Sequence, residues 1–169
     1  MANTLRHRAL AMLALLGAPL AARAQTPQIG QPAPDFSLET LDGGHSGLSE
    51  LAGHPVLVNF WASWCKPCRT EMPEIVAVYR EQLGTGLEVL AVNLTDQEAK
   101  KDVRRFVEEV GIPFRVLLDA KGKVRERYRL AGLPTSIFID RAGIVRVIHP
   151  GPMSREALDQ GLAEIVRGP

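Results

Sequence analysis

The chain has 169 residues, 46% of them hydrophobic and 23% charged, with a formal net charge of +1. That composition excludes a disordered chain, and the balanced charge excludes a nucleic-acid binder that works by electrostatics alone. Two cysteines, Cys65 and Cys68, are too few for a small disulfide scaffold or for a zinc site built from thiolates only.

Residues 1–24 read as an export signal. Arg6 and Arg8 give a basic start, residues 9–22 carry no charge, and Ala22-Arg23-Ala24 is an A-x-A cleavage site before Gln25. As a helix the uncharged run spans roughly 21 Å, short of a hydrocarbon core of about 30 Å. An uncleaved inner-membrane anchor facing the same compartment is the alternative, and no cysteine follows the run to carry a lipid. Cleavage leaves residues 25–169 as one domain. It removes Arg6, Arg8 and Arg23 from the 20 basic residues and none of the 19 acidic ones, so the net charge becomes −2. No nucleic acid or other polyanion is then expected as a partner. Export also places the cysteines where disulfides persist.

Residues 25–34, with Pro27, Pro32 and Pro34, form an extended lead-in, and Asp42-Gly43-Gly44 marks a turn. Leu57-Val58-Asn59-Phe60-Trp61 reads as a buried strand ending just before the cysteines. Met72, Ile75, Val76, Tyr79 and Leu83 recur at helical spacing and predict the apolar face of a helix that Gly84 and Gly86 end. Pro73 within it lacks an amide hydrogen and predicts a kink near residue 69. Residues 87–92 form the next strand. Thr95 or Asp96 is placed to cap a further helix, whose buried stripe is Val103, Phe106, Val107 and Val110 and which Gly111 stops. Val116-Leu117-Leu118 is a short strand, followed by a turn at Lys121-Gly122. Residues 136–139 and 144–148 flank a turn at Arg141-Ala142-Gly143 and predict an antiparallel hairpin. Leu158, Leu162, Ile165 and Val166 mark a C-terminal helix. Strands alternating with helices and closing with a hairpin predict an α/β domain, its mixed central sheet flanked by helices on both faces. There is no internal repeat.

Trp64-Cys65-Lys66-Pro67-Cys68 falls where a strand hands over to a helix. Unpaired amides and the positive end of the dipole at a helix N-terminus stabilise an anion, which lowers the Cys65 thiol pKa. Cys68 lies roughly 60° further round a helix that turns about 100° per residue, so the two sulfurs can meet. The pair suits disulfide exchange: Cys65 attacks, a mixed disulfide forms, and Cys68 resolves it. Pro67 stiffens the first turn and Lys66 adds positive charge, so both tune the potential, in which about 30 mV corresponds to ~1.4 kcal/mol. Trp64 can shield the nucleophile, offer an aromatic docking surface or simply pack.

Other readings of the pair fit less well. A structural disulfide closing so short a loop would restrict the unfolded chain little. A c-type haem site needs His where Arg69 stands. A metal site needs two further ligands, and His45, His54 and His149 show no ligand spacing; they read as surface or turn residues. Arg104-Arg105 and Arg125-Glu126-Arg127 read as solvated faces. Neither a metal nor an organic cofactor is expected; the redox group is the Cys65–Cys68 disulfide.

Residues 60–68, Phe60-Trp61-Ala62-Ser63-Trp64-Cys65-Lys66-Pro67-Cys68, together with Gly132-Leu133-Pro134-Thr135, resemble the thioredoxin superfamily. The nearer resemblance is to its exported TlpA/ResA-like branch, which includes the cytochrome c maturation thioredoxins. It runs from Pro32-Ala33-Pro34-Asp35-Phe36 to the last helix. It implies a thioredoxin fold with an N-terminal extension and an inserted helix and strand within residues 97–119. It implies that Pro134 is the family's cis-proline opposite the cysteines. Trp64, Leu133, Pro134 and Thr135 would then meet substrate, whose extended backbone can pair with theirs.

Cytosolic thioredoxins carry a buried Asp where this chain has Asn59, and the ResA-like branch instead places an acid where Glu71 stands. Glu71 is nearer to Cys68 than to Cys65 around a helix and would be a partly buried proton acceptor for Cys68. A solvated Glu that merely favours the helix dipole is the alternative.

The resemblance implies an exported thiol–disulfide oxidoreductase acting on protein cysteines, working as a monomer and as a reductant in cytochrome c maturation or a related periplasmic pathway. Apocytochrome c or copper-site proteins would be its partners, and a membrane thiol transporter its electron donor. Two other activities stand beside it. A thiol peroxidase usually has Thr three residues before its reactive Cys, where Ala62 stands here. A copper metallochaperone would hold the metal between the two thiols.

Overall fold

In the computed structural model, which describes residues 26–167, a seven-stranded mixed sheet runs in the order β2-β1-β5-β4-β3-β6-β7. The strands are β1 (Ser37–Thr40), β2 (His45–Gly47), β3 (Val56–Trp61), β4 (Glu88–Asn93), β5 (Arg115–Leu118), β6 (Thr135–Ile139) and β7 (Val145–Pro150). The helices are α1 (Lys66–Glu81), α2 (Lys100–Val110), α3 (Lys123–Arg127) and α4 (Arg155–Val166). β3, β4 and β5 are parallel neighbours; β6, β7, β1 and β2 pair antiparallel. The export signal expected over residues 1–24 lies outside the described residues.

β3 is buried at every position, as a central strand covered on both faces must be. Its side chains alternate between two cores. Leu57 and Trp61 pack with Met72 and Ile75 of α1, Phe106 of α2 and Leu158 of α4. Val56, Val58 and Phe60 face the other way, against Val124 and Tyr128 at α3 and Phe36 of the N-terminal segment. The period of two thus places Asn59 on the α1 side of the sheet.

The inserted helix and strand are α2 and β5, within the expected span. β5 adds parallel to β4 and carries the β1–β2 hairpin beyond it. That hairpin turns at Asp42-Gly43-Gly44, but its strands are too short and polar to have been predicted. α3 is likewise unpredicted: only Val124 of its five residues is buried.

Two local expectations change. Neither Thr95 nor Asp96 caps α2; both lie in a 3-10 turn, α2 starts after Ala99, and Asp96 pairs instead with Arg125 at 2.9 Å. Leu83 is off the helical stripe, because α1 ends at Glu81 and Leu83 sits 67% exposed in the turn toward β4. α1 carries Pro73 inside its Lys66–Glu81 span.

α4 lies close on β6. A Cβ placed on Gly161 would stand 2.5 Å from two ring carbons of the fully buried Phe138. Gly161→Ala is therefore expected to destabilise the domain by about 1–3 kcal/mol through overpacking, although alanine is the better helix former by about 1 kcal/mol. Urea unfolding checks the sign; a stabilised variant would show that α4 is free to move off the sheet.

Candidate active site

β3 ends at Trp61, a short loop follows, and Cys65 caps α1 in extended conformation. The cysteines therefore lie at the carboxyl end of a parallel strand, where the crevices of α/β sheets form. Pro67 occupies the first turn, where its missing amide hydrogen removes no helical bond. Cys65 and Cys68 form a disulfide with Cα atoms 5.3 Å apart, and the Cys68 N–H donates to Cys65 Sγ at 3.2 Å. Cys65 keeps 4% exposure and Cys68 none, so an incoming sulfur reaches Cys65 first. Lys66 and Pro67 are exposed beside it.

The loop before Cys65 is held by Glu98, a residue the sequence did not single out. Glu98 Oε1 accepts from the Ser63 N–H at 2.8 Å and from Asn93 Nδ2 at 2.7 Å, while its other oxygen meets the Ser63 hydroxyl. One carboxylate thus fastens the end of β4 to the loop that leads to the nucleophile. Its partner stands 35 residues earlier in the chain, and no local pattern links the two.

On the far side of Cys65 lies a groove of about 360 Å³, lined by Trp64, Pro67, Leu94, Leu130 and Leu133. Trp64 is 56% exposed at its edge. The Leu133–Pro134 bond is cis. Pro134 is buried, and so is Thr135, whose hydroxyl donates to the Gly132 carbonyl at 2.8 Å and closes the turn.

Glu71 points inward and is only 3% exposed, which removes the solvated alternative. Its Oε1 accepts from Asn59 Nδ2 at 2.8 Å and its Oε2 from the Met153 N–H at 2.9 Å. Asn59 Nδ2 also donates to Ser136 Oγ at 2.9 Å, and Asn59 Oδ1 has no partner among the described residues. Burial pushes the Glu71 carboxyl above the usual carboxylate range; the bonds from Met153 and Asn59, and then nearby His149, oppose the rise. Asn59 and Glu71 were visible in the sequence. Ser136 and Met153 were not: one is an ordinary strand serine and the other contributes only its backbone.

His149 departs from expectation, since it is half-buried in β7 near Glu71 rather than at the surface. His45 and His54 are exposed, and the latter's Nδ1 lies 3.0 Å from the Gly86 carbonyl oxygen. Arg104, Arg125 and Arg127 bond to Leu41, Asp96 and Asp35, tying the fold together. Among the described residues, no three His, Cys, Asp or Glu side chains gather to hold a metal ion.

A disulfide between neighbours on a helix N-terminus, open on one side to a peptide-sized groove, is suited to exchange with the cysteines of another protein. Fold and site together define a thiol–disulfide oxidoreductase. The chain belongs to the AhpC/TSA family, whose model matches residues 29–148. It is 43% identical over 136 residues to the thioredoxin-like protein YneN of Bacillus subtilis, covering 80% of this chain and 79% of YneN. To the thiol-disulfide oxidoreductase ResA of Geobacillus thermodenitrificans it is 38% identical over 163 residues, 92% of this chain and 91% of ResA. Its fold is thioredoxin-like: StoA of Bacillus subtilis matches with a TM-score of 0.66 at 28% identity, covering 78% of this chain and 98% of StoA. A thiol:disulfide interchange protein of the thioredoxin family from Chlorobium tepidum matches at 0.73 and 28% identity, covering 83% of this chain and 99% of its own.

Proposed function

We propose that this protein is an exported reductant of disulfides in other proteins, serving cytochrome c maturation or a related periplasmic pathway. The observation that carries the reading is the asymmetry of the pair: Cys65 lines the groove, while Cys68 is sealed beneath it on the same helix as a buried carboxyl. In the reduced enzyme the Cys65 thiolate attacks one sulfur of a substrate disulfide and the other substrate sulfur leaves as a thiolate. Cys68 then gives its proton to Glu71 and attacks Cys65, releasing the second substrate sulfur. Two electrons pass to the substrate and the enzyme is left as the Cys65–Cys68 disulfide. No metal or organic cofactor takes part.

The groove receives the substrate as an extended segment against the Leu133-Pro134-Thr135 backbone, with Trp64 covering the exchanging sulfurs. Lys66 and Pro67 adjust the potential of the pair. The enzyme acts as a monomer on apocytochrome c or copper-site proteins, with a membrane thiol transporter returning its electrons. No helix among the described residues is long and apolar enough to cross a membrane; cleavage after residue 24 would release the domain into the periplasm, and retention of residues 1–24 would leave it anchored there. A thiol peroxidase is disfavoured by Ala62 and by a resolving cysteine only one helical turn away.

Cys68→Ala tests the reading. Produced with its leader in a Gram-negative host, the variant is expected to accumulate as disulfide-linked complexes that a reductant dissolves, whereas Cys65→Ala with Cys68→Ala captures none. If no partner is linked through Cys65, the exchange mechanism fails.

A further inference from the structure

The row of side chains that reaches Glu71 does not end at Ser136. Asn59 on β3 stands opposite Ser136 on β6, and Ser136 stands opposite His149 on the edge strand β7. Opposite residues of an antiparallel pair share a face, with Cβ atoms about 4.5–5.5 Å apart. Asn59, Ser136 and His149 thus form one line across three strands, on the face that α1 covers. Glu71 bonds to the inner end of this line. His149, half-buried, is its outer end. The same segment continues through Gly151, whose N–H donates to the Pro134 carbonyl at 2.9 Å, to Met153, whose N–H holds Glu71 Oε2. β7 and the turn after it therefore link the histidine, the carboxyl and the cis-proline turn.

The other charged groups on the surrounding elements are engaged elsewhere or turned to solvent. β3 and β6 contain none. On β7, Arg146 pairs with Asp140. On α1, Glu74 is exposed. On α4, Arg155 pairs with Glu81 and Asp159, and Glu156 is exposed. Glu71 is thus the buried acid at the inner end of the row that His149 ends.

We infer that His149, at the outer end of the row that reaches Glu71, is a positioning residue, the electrostatic partner of Glu71, and that its protonation favours the ionised Glu71 that takes the Cys68 proton. This rests on the reading of Glu71 as proton acceptor. The physical reason is the sign of the interaction: an imidazolium favours a nearby carboxylate, and histidine gains its charge near pH 6.5, within the range an exported protein meets. The direction of the effect of His149 on Glu71, opposite to that of burial, agrees.

Two measurements on the full chain test it. The ring-proton resonances of His149 are followed against pH in the oxidised protein and in Glu71→Gln. By linkage, the His149 midpoint is expected to fall by a few tenths of a pH unit when the carboxylate is removed. Second, the rate at which the mixed disulfide resolves is followed against pH in His149→Gln, where the acid limb is expected to move to higher pH by a similar amount. A purely structural role for His149 would scale the rate at every pH and leave the limb in place. An unmoved limb together with an unmoved midpoint overturns the pairing. If the midpoint moves but Glu71→Gln resolves at the normal rate, the pairing stands and the reading of Glu71 as acceptor falls instead.

Discussion

Glu71→Gln is expected to slow resolution of the mixed disulfide by about 10²-fold, the lower end of what a positioned general base contributes, while attack by Cys65 on substrate is unchanged. The two steps separate because of where the groups lie. In the proposed mechanism Cys65 is activated by the helix N-terminus and reached through the open groove. Cys68 is fully buried, so no water is at hand to take its proton, and Glu71 follows it by one turn of α1. A carboxyl raised by burial is a better base toward a thiol than an ordinary surface glutamate, because its proton affinity lies nearer that of sulfur.

The substitution is also structurally mild. Glutamine can keep the Met153 bond through its oxygen and present its amide to Asn59. Reversing the Asn59 side-chain amide then turns the unpartnered Oδ1 toward that donor and toward the Ser136 hydroxyl. Rapid-mixing measurements on a trapped mixed disulfide, with the pH dependence of resolution, check both points. Equal rates and unchanged cysteine titration would remove Glu71 from the mechanism.

Asn59→Asp should have the larger effect on stability, and a pH-dependent one. It would place a second carboxyl where Asn59 Nδ2 now lies 2.8 Å from Glu71 Oε1, at a position with no solvent exposure. Two carboxylates at that distance cannot both ionise, so one pKa of the pair rises strongly. The folded-state pKa is then above the unfolded value, so the folded form binds the extra proton. Stability is retained below about pH 4 and is lost as pH rises through the raised value. A rise of about 3 pH units costs about 4 kcal/mol at neutral pH. Urea unfolding of the oxidised protein at pH 4 and pH 7.5 should therefore show near-normal stability in acid and a large deficit above it. An equal deficit at both pH values would mean that packing, not ionisation, is responsible.

The contrast follows from what Asn59 does in the native site. An amide donates to Glu71 without competing for its proton, so Asn59 lets one carboxyl alone occupy the buried site.

The local sequence determined most of the elements and the centre of the chemistry. Continuous apolar runs mark β3 and β4, the spacing of Val103, Phe106 and Val110 marks α2, and Gly111, with φ of 67°, stops it. A strand leading into Trp64-Cys65-Lys66-Pro67-Cys68 suffices to place a nucleophile at a helix N-terminus, because that effect depends only on neighbours in the chain. Elements whose stability comes from docking were silent. α3 buries a single side chain, and the β1–β2 hairpin is held by pairing to β5 rather than by its own pattern. Asp96, a good cap by residue type, was drawn instead to Arg125, 29 residues away.

The site divides in the same way. Cys65, Cys68 and Glu71 are legible because one helix carries all three. Tertiary structure alone decided what surrounds them: Glu98 fastening Ser63, Met153 and Asn59 holding Glu71, and His149 closing the row across β3, β6 and β7. The first two are hydrogen bonds between segments distant in sequence and the third is a register across strands, and neither leaves a periodicity for a local pattern to reveal. Burial, which raises the Glu71 carboxyl, is likewise a property of the assembled sheet and helices, not of the residue or its neighbours along the chain.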